Sequence, residues 1–199
     1  MARALKDRWN DGVVIAVDTF LGSAEHYVNL DYRASLGLEN GYPTLFHTFL
    51  RNLAAESALD FVVPIPLDST NASHLLAEAS IRPQVIHIDA GHDYESVTND
   101  LRLWFDLLQP GGTIICDDYV ASWPGVMRAV DEFLLSNKLD NVEVLSGKIR
   151  FTKPTDWSES EGNQPEVQPD IASRYMELER QHSAVTSSRI WRWTSWLHG

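Results

Sequence analysis

Acidic residues follow each of four short apolar runs in the sequence. Asp18 comes after the first run, Asp68 after the second and Asp89 after the third, and the pair Asp117 and Asp118 follows the fourth. Short apolar runs predict buried strands, and in an open α/β sheet ligands bind beyond the carboxyl ends of the strands. We therefore expect these carboxylates to gather along one rim of a sheet and to form a binding site there.

Asp18 is the candidate for binding a nucleoside. A carboxylate at the end of a nucleotide-fold strand accepts hydrogen bonds from the two hydroxyls of a ribose. The alternative is that Asp18 only caps a turn. Because Asp18 belongs to a series of strand-end acids, we favour the binding role.

Asp89, Asp117 and Asp118 together are candidates for binding a divalent cation. Mg²⁺ prefers oxygen ligands and keeps several waters, so two or three carboxylates suffice. Carboxylates held close together repel one another unless a cation or a proton intervenes. The alternative is that Asp117 and Asp118 cap the next segment and face solvent.

His92 lies three residues after Asp89, on the same expected rim. Imidazole titrates near neutral pH, so His92 can act as a general base toward a hydroxyl whose other contact is the metal. The alternative is a histidine that only hydrogen-bonds a loop carbonyl. His87, inside the third run, is interpreted as structural.

The apolar pattern predicts the elements that position these residues. Nearly continuous apolarity predicts strands covered on both faces, over Val13–Val17, Phe61–Ile65, Val85–Ile88 and Thr113–Cys116. Helical spacing predicts helices over Tyr94–Leu108, with Asp93 as the cap, and from Pro124 to Asn137. The two residues Ser146-Gly147 predict a hairpin between Val142–Leu145 and Lys148–Phe151.

This order of elements predicts an α/β fold, namely a Rossmann-like, doubly wound and mostly parallel sheet that ends in an antiparallel hairpin. The domain is expected to cover residues 1–153. Residues 154–170 carry acids but no basic residue among Ser, Pro, Gly and Gln, which predicts an acidic, disordered linker. A helical tail rich in Trp and Arg is predicted over residues 171–199.

The composition is that of a globular protein of 199 residues with a formal net charge of -12. This acidity argues against a nucleic-acid partner, because nonspecific binders need positive charge to neutralise phosphates. The single cysteine, Cys116, cannot form an internal disulfide. No apolar signal core follows Met1 and no stretch is long enough to span a membrane, so we expect a soluble cytoplasmic protein.

Several stretches of the chain resemble a known family. They are Ile86–Glu95 (IHIDAGHDYE), Asp100-Leu101, Leu108–Gly112 (LQPGG), Asp117–Tyr119 (DDY) and Ala16–Ser23 (AVDTFLGS). Together, over about residues 12–153, they resemble the class I S-adenosylmethionine-dependent methyltransferases. The similar group includes macrolide-sugar O-methyltransferases and cephalosporin-hydroxylase-like proteins.

The resemblance implies roles for individual residues. With S-adenosylmethionine as the cofactor, it implies that Asp18 contacts the ribose and that Ser69 lies near the adenine end. It assigns Asp89 to the cofactor and to catalysis, and His92 to the role of catalytic base. The magnesium ligands of some members are matched by Asp89, Asp117 and Asp118, although Asp117 stands where those members often have Glu.

One part of the family's pattern is missing. Members begin with a strand that ends in an acid and a glycine-rich turn, where glycine lets the backbone approach the cofactor closely. No Gly-x-Gly pattern precedes Val13. We expect the first strand to be missing, which would leave an exposed sheet edge. Three explanations stay open: a late start of the sequence, a partner that supplies the missing piece, or loss of cofactor binding.

The tail carries a second resemblance. Ser188–Thr194 matches the motif Ser-x-x-Trp-Arg-x-Thr, which is similar to a terminal motif of bacterial glycosyltransferases and associated methyltransferases of surface-glycan synthesis. This implies a glycan substrate. A membrane surface or a protein partner is expected to bind the tail through its tryptophan and arginine side chains, Trp191, Trp193, Trp196, Arg189 and Arg192. The alternative is that these tryptophans cover the domain's own surface.

The expected function is methyl transfer from S-adenosylmethionine to a hydroxyl of a sugar or glycan precursor. Mg²⁺ on the three aspartates would orient the attacking oxygen and His92 would deprotonate it. The alternative is a non-catalytic, methyltransferase-like scaffold in a surface-glycan biosynthesis complex. A hydroxylase-like activity is disfavoured, because its iron-dependent form needs clustered histidines and only His92 is expected at the rim.

Overall fold

The computed structural model describes residues 2–8 and 12–157. The chain divides into two compact units, Met1–Ala79 and Ser80–Gly199, named the first unit and the second unit. The predicted tail over residues 171–199 lies outside the described residues, and so does the predicted linker from residue 158 onward. Among the helices in the described ranges, none combines the length and the apolar character that a membrane span requires.

The first unit combines helices with a pair of parallel strands. The strands β1 (Val14–Val17) and β2 (Val62–Ile65) pair in parallel, with Val14 opposite Val62 and Val17 opposite Ile65. The helices are α1 (Ala2–Arg8), α2 (Ala24–Val28), α3 (Leu30–Arg33), α4 (Leu45–Ala55) and α5 (Ser69–Glu78).

An aromatic cluster fixes the loop after β1. Phe20 is buried, and its ring lies 5.0 Å from that of Phe46 and 5.2 Å from that of Phe49, both on α4. Aromatic pairs at such distances stabilise a fold by about 0.5–1.5 kcal/mol beyond the area they bury. The loop that begins at Asp18 is therefore held against α4.

The second unit contains a four-stranded sheet in the order β3-β4-β6-β5. The strands β3 (Val85–Ile88) and β4 (Thr113–Cys116) are parallel. The strands β5 (Asp140–Leu145) and β6 (Lys148–Thr152) form a hairpin, and β6 lies antiparallel to β4. The helices of this unit are α6 (Tyr94–Leu107) and α7 (Pro124–Ser136), which pack against each other.

The two faces of the four-stranded sheet differ. One face carries buried side chains, and Phe151 on this face lies 5.8 Å from the ring of Phe133 on α7. The strand residues on this face are Ile86, Ile88, Ile114, Cys116, Ile149 and Phe151. Residues of the opposite face, such as His87, Ile115 and Arg150, are half-buried or exposed. Among the described residues, this face of β3 and β4 is therefore less covered than the buried face, with Val85 and His87 exposed and Thr113 and Ile115 half-buried.

Both ends of α6 are fixed by side chains. The Ser96 amide donates to Asp93 Oδ1 at 2.9 Å, which confirms the predicted cap. At the other end the buried Lys153 ammonium donates to the carbonyls of Phe105 at 2.9 Å and Leu108 at 3.0 Å. A cation is favourable there, because the last carbonyls of a helix have no partner within the helix.

The predicted α/β fold with a closing antiparallel hairpin is confirmed. The strand bounds agree to within one residue for the parallel strands, and Ser146-Gly147 forms the turn of the hairpin. The strands form two separately hydrogen-bonded sheets where a single sheet was predicted. In the described residues β1 bonds only to β2, and β3 bonds only to β4, so each of these strands has one edge without a hydrogen-bonded neighbour there.

Candidate functional site

The carboxyl ends of β3 and β4 bring two of the predicted site residues to one edge. Ile88 pairs with Cys116, and the Asp117 amide donates to the Ile88 carbonyl at 2.9 Å. The next residue of each strand is an aspartate, so Asp89 and Asp117 leave the sheet side by side. Both line a small recess together with Gly91, His92 and Asp118.

Asp117 is held by several donors. The Lys148 ammonium hydrogen-bonds its Oδ2, His87 Nε2 lies 3.4 Å from the same atom, and the Asp118 amide donates to Oδ1 at 3.0 Å. Partial burial pushes the pKa of Asp117 upward, but the hydrogen bonds from Lys148 and from the Asp118 backbone and the nearby positive charge outweigh it. The pKa of Asp117 therefore lies below its ordinary value of 3.8.

Asp118 is paired with His92. His92 Nε2 lies 3.0 Å from Asp118 Oδ2, and the two side chains are 26% and 37% exposed. Asp118 has a φ of 56°, a left-handed conformation that costs a non-glycine residue about 1 kcal/mol. This backbone turns the Asp118 side chain toward His92, which gives the imidazole an orienting carboxylate.

His92 is also fixed by aromatic stacking. Its ring lies 4.0 Å from that of Trp123 at an interplanar angle of 23°. Trp123 directly precedes α7, whose second residue is Gly125. A Cβ at Gly125 would lie 2.7 Å from the His92 carbonyl oxygen and 2.8 Å from the Tyr94 amide. Glycine at this position therefore lets the start of α7 pack directly on the His92 loop.

The magnesium site predicted at Asp89, Asp117 and Asp118 does not fit these contacts. In the part of the chain that the structure describes, no three His, Cys, Asp or Glu side chains are arranged to hold a metal ion. Both oxygens of Asp117 accept hydrogen bonds, one of them from an ammonium group, and Asp118 faces His92. Two of the three predicted ligands, Asp117 and Asp118, are therefore engaged with protein partners.

The other predicted site residues belong to the first unit. The Asp18 side chain is exposed, and its Oδ1 accepts the Phe20 amide at 2.7 Å, so Asp18 does form the turn that the alternative interpretation proposed. Ser69 is the first residue of α5, which is capped by Asp68 through the Asn71 amide at 2.9 Å. Asp18 and Ser69 thus follow β1 and β2 at the same edge of that parallel pair.

Sequence reasoning missed two residues of the second unit's site, Lys148 and Trp123. The position of Lys148 follows from extending the β4–β6 pairing by one residue. The pairs run from Thr113 opposite Thr152 to Cys116 opposite Ile149, so the next pair would be Asp117 and Lys148. Trp123 gives no comparable signal, because its contact with His92 depends on the loop before α7.

Two of three comparisons with known proteins find a match to the chain. A family model described as a methyltransferase domain matches residues 1–119. No curated protein sequence matches the chain.

The fold is similar to that of solved structures. The structure of the O-methyltransferase NovP is 22% identical, with 76% of this chain and 63% of that chain covered and a TM-score of 0.51. Two structures of the calicheamicin methyltransferase CalS11 are 17% and 18% identical, with TM-scores of 0.53 and 0.52. In both comparisons 76% of this chain is covered, and the covered shares of the two CalS11 chains are 65% and 64%, respectively. The chain thus spans less than two thirds of the length of these structures.

Proposed function

Since the chain belongs to the methyltransferase-domain family, we propose that it transfers a methyl group from S-adenosylmethionine to a hydroxyl oxygen of a sugar or glycan precursor. One CalS11 structure is described as a TDP-rhamnose 3'-O-methyltransferase, and NovP as an O-methyltransferase. These descriptions support oxygen as the methyl acceptor and a small sugar-containing molecule as the substrate. A cytoplasmic location is part of the same proposal.

The observation that carries the proposal is the oriented imidazole of His92. Asp118 contacts Nε2 on one edge of the ring, and Trp123 covers a face of the ring. His92 accepts the proton of the substrate hydroxyl as its oxygen forms the new bond to carbon. S-adenosylmethionine supplies, when bound, a methyl group on a positively charged sulfur, which keeps the electron pair of the broken C–S bond. Asp118 stabilises the imidazolium that results.

The cofactor would be held by residues at the strand ends. In our proposal Asp18 accepts hydrogen bonds from the ribose hydroxyls, and the turn at Phe20 keeps its carboxylate at the end of β1. Ser69 lies at the start of a ten-residue helix, near the adenine. In the second unit Asp89 lines the recess beside His92, where it would contact the acceptor. The donor set described above does not fit magnesium, so no step of the proposed reaction uses a metal.

A methyl-transfer assay with matched histidine variants tests this proposal. The full chain would be incubated with isotope-labelled S-adenosylmethionine and a panel of nucleoside-diphosphate sugars. We expect His92→Gln to lower kcat by about 100-fold or more, with little change in the affinity for S-adenosylhomocysteine. His74→Gln, which changes an exposed histidine on α5, is the control and is expected to be fully active. Full activity of His92→Gln would contradict the role of His92.

A scaffold without catalysis is the second candidate. It is favoured by the open edge of β3, since in the described residues this strand bonds only to β4. An open parallel edge suits the addition of a strand from a partner. If the chain binds S-adenosylhomocysteine but methylates no sugar in the panel, the acceptor class is wrong. If it binds neither cofactor nor product, the scaffold becomes the better explanation.

A further inference from the structure

We propose that the ammonium group of Lys148 takes the place of a divalent metal ion beside Asp117. Lys148 then supplies the positive charge at the strand-end carboxylates Asp89, Asp117 and Asp118. The site would then work without a bound metal ion. This inference rests on the proposed function for its meaning in the reaction, but its evidence comes from the second unit alone.

The backbone itself brings the two residues together. Successive pairs between β4 and β6 end at Cys116 opposite Ile149, so Asp117 and Lys148 are the next residues along the same antiparallel ladder. Residues directly opposite each other on such a ladder have side chains on the same face, with Cβ atoms about 5 Å apart. The contact therefore follows from the sheet register as well as from the Lys148 side-chain conformation.

The hairpin turn is tied to the loop that carries the site. The Tyr119 amide donates to the Gly147 carbonyl at 3.0 Å, and Gly147 has a φ of 71°, a conformation that glycine adopts readily. The Tyr119 hydroxyl donates to Asp131 Oδ1 at 2.6 Å in the buried part of α7. Tyr119 thus fixes the turn before Lys148 relative to the loop that contains Asp117 and Asp118.

The environment favours the ion pair over a hydrated metal. The side chains of Asp117 and Lys148 are 21% and 39% exposed, so water screens their attraction only in part. A divalent cation at Asp117 would contact a carboxylate whose two oxygens already accept hydrogen bonds, and it would be repelled by the ammonium group beside it. Mg²⁺ also requires near-octahedral oxygen ligands. Binding of a metal therefore requires Lys148 to leave.

A second ion pair on the same hairpin provides a matched comparison. Arg150 Nε lies 2.7 Å from Glu143 Oε2, across from Ile115 on the same face of the sheet. These side chains are 50% and 48% exposed. Removing Arg150 changes the net charge of the hairpin as much as removing Lys148 does, but it leaves Asp117 and its partners in place.

Binding of Mn²⁺ to the full chain, followed by electron paramagnetic resonance, tests the proposal without any methyl-transfer assay. We expect the wild type and Arg150→Ala to bind Mn²⁺ only weakly and to the same extent. Lys148→Ala is expected to bind at least about tenfold more tightly, since it removes a positive charge in contact with the carboxylate. The gain should disappear in the double variant Lys148→Ala, Asp117→Asn.

Several outcomes would overturn the proposal. They are tight Mn²⁺ binding by the wild type that Asp117→Asn abolishes, an unchanged affinity in Lys148→Ala, and an equal gain in Arg150→Ala. Lys148→Met keeps the aliphatic stem of the side chain, and it replaces Lys148→Ala in the experiment if that variant does not fold. Binding of S-adenosylhomocysteine, measured on the same samples, reports separately on the proposed function, so the two ideas can fail independently.

Discussion

The two units place the same motif, a parallel strand followed by an aspartate, in different surroundings. In the first unit β1 is half-buried along its whole length, and Asp18 after it is exposed. In the second unit β4 lies between β3 and β6, with Ile114 and Cys116 buried, and Asp117 after it is held by Lys148. The first setting leaves a carboxylate exposed for a ligand, whereas the second pairs it with a cation of the protein.

The neighbouring strand decides between these settings. A parallel neighbour brings its own carboxyl end to the same edge, as β2 does when it leads to Asp68 near the end of β1. An antiparallel neighbour brings the start of a strand instead, and β6 starts with Lys148. The position of an acid after a strand therefore does not fix its role, because the direction of the next strand determines which side chain it meets.

The largest effect that tests this contrast is expected from the cores of the two units. Phe151 is fully buried, so Phe151→Ala is expected to cost about 3–5 kcal/mol of the free energy of unfolding. Val63 on β2 is 48% exposed, so Val63→Ala is expected to cost less than about 1 kcal/mol. Urea unfolding followed by circular dichroism measures both. Equal losses of unfolding free energy would contradict the difference in burial between β6 of the second unit and β2 of the first unit.

An intermediate effect is expected from lysines of the second unit. Lys153 is 5% exposed and bonds two carbonyls at the end of α6, so Lys153→Met should cost about 2–3 kcal/mol. Lys148 lies in a partly exposed ion pair, so Lys148→Met should cost at most about 1 kcal/mol. Thermal unfolding of the two variants provides the measurement. A larger loss for Lys148→Met would mean that the rim, rather than the end of α6, stabilises this unit.

A smaller effect than that of Phe151→Ala or Lys153→Met is expected from the helix caps. Asp93→Ala should cost about 1 kcal/mol, since it removes the cap of α6. Hydrogen bonds from the side chain and backbone of Ser96 lower the pKa of Asp93 below 3.8. A carboxyl group whose pKa is lower in the folded than in the unfolded state stabilises the fold at any pH above its unfolded-state pKa. This stabilisation is lost as the pH falls from the unfolded-state pKa through the folded-state pKa.

A pH series of unfolding measurements checks this expectation. The difference between wild type and Asp93→Ala should be constant near neutral pH and shrink below about pH 4. Asp68→Ala removes the corresponding cap of α5 in the first unit, where hydrogen bonds from Asn71 lower the pKa of Asp68. It should fray α5 locally, as seen by faster amide exchange of Asn71. A pH-independent difference for Asp93→Ala would rule out the carboxylate as the source of its effect.

The sequence allowed the prediction of many elements with a clear local pattern, although α4 and α5 were not predicted. The strands before Asp18, Asp89 and Asp117, the cap at Asp93 and the two-residue turn before Lys148 are examples. Local pattern does not reveal which strands share hydrogen bonds, so the separation into two sheets was missed. The pairing of Asp118 with His92 was missed as well, because it depends on a left-handed backbone at an aspartate rather than at a glycine.

Calorimetric titration of the full chain with S-adenosylhomocysteine tests the central claim, that the strand-end acids bind an adenosyl cofactor. We expect micromolar binding by the wild type and a loss of about tenfold or more in Asp18→Ala, where hydrogen bonds from the ribose hydroxyls to a carboxylate are removed. Asp60→Ala, which changes an exposed acid before β2, should bind like the wild type. Absence of binding by the wild type, or equal affinities for all three proteins, would contradict the claim.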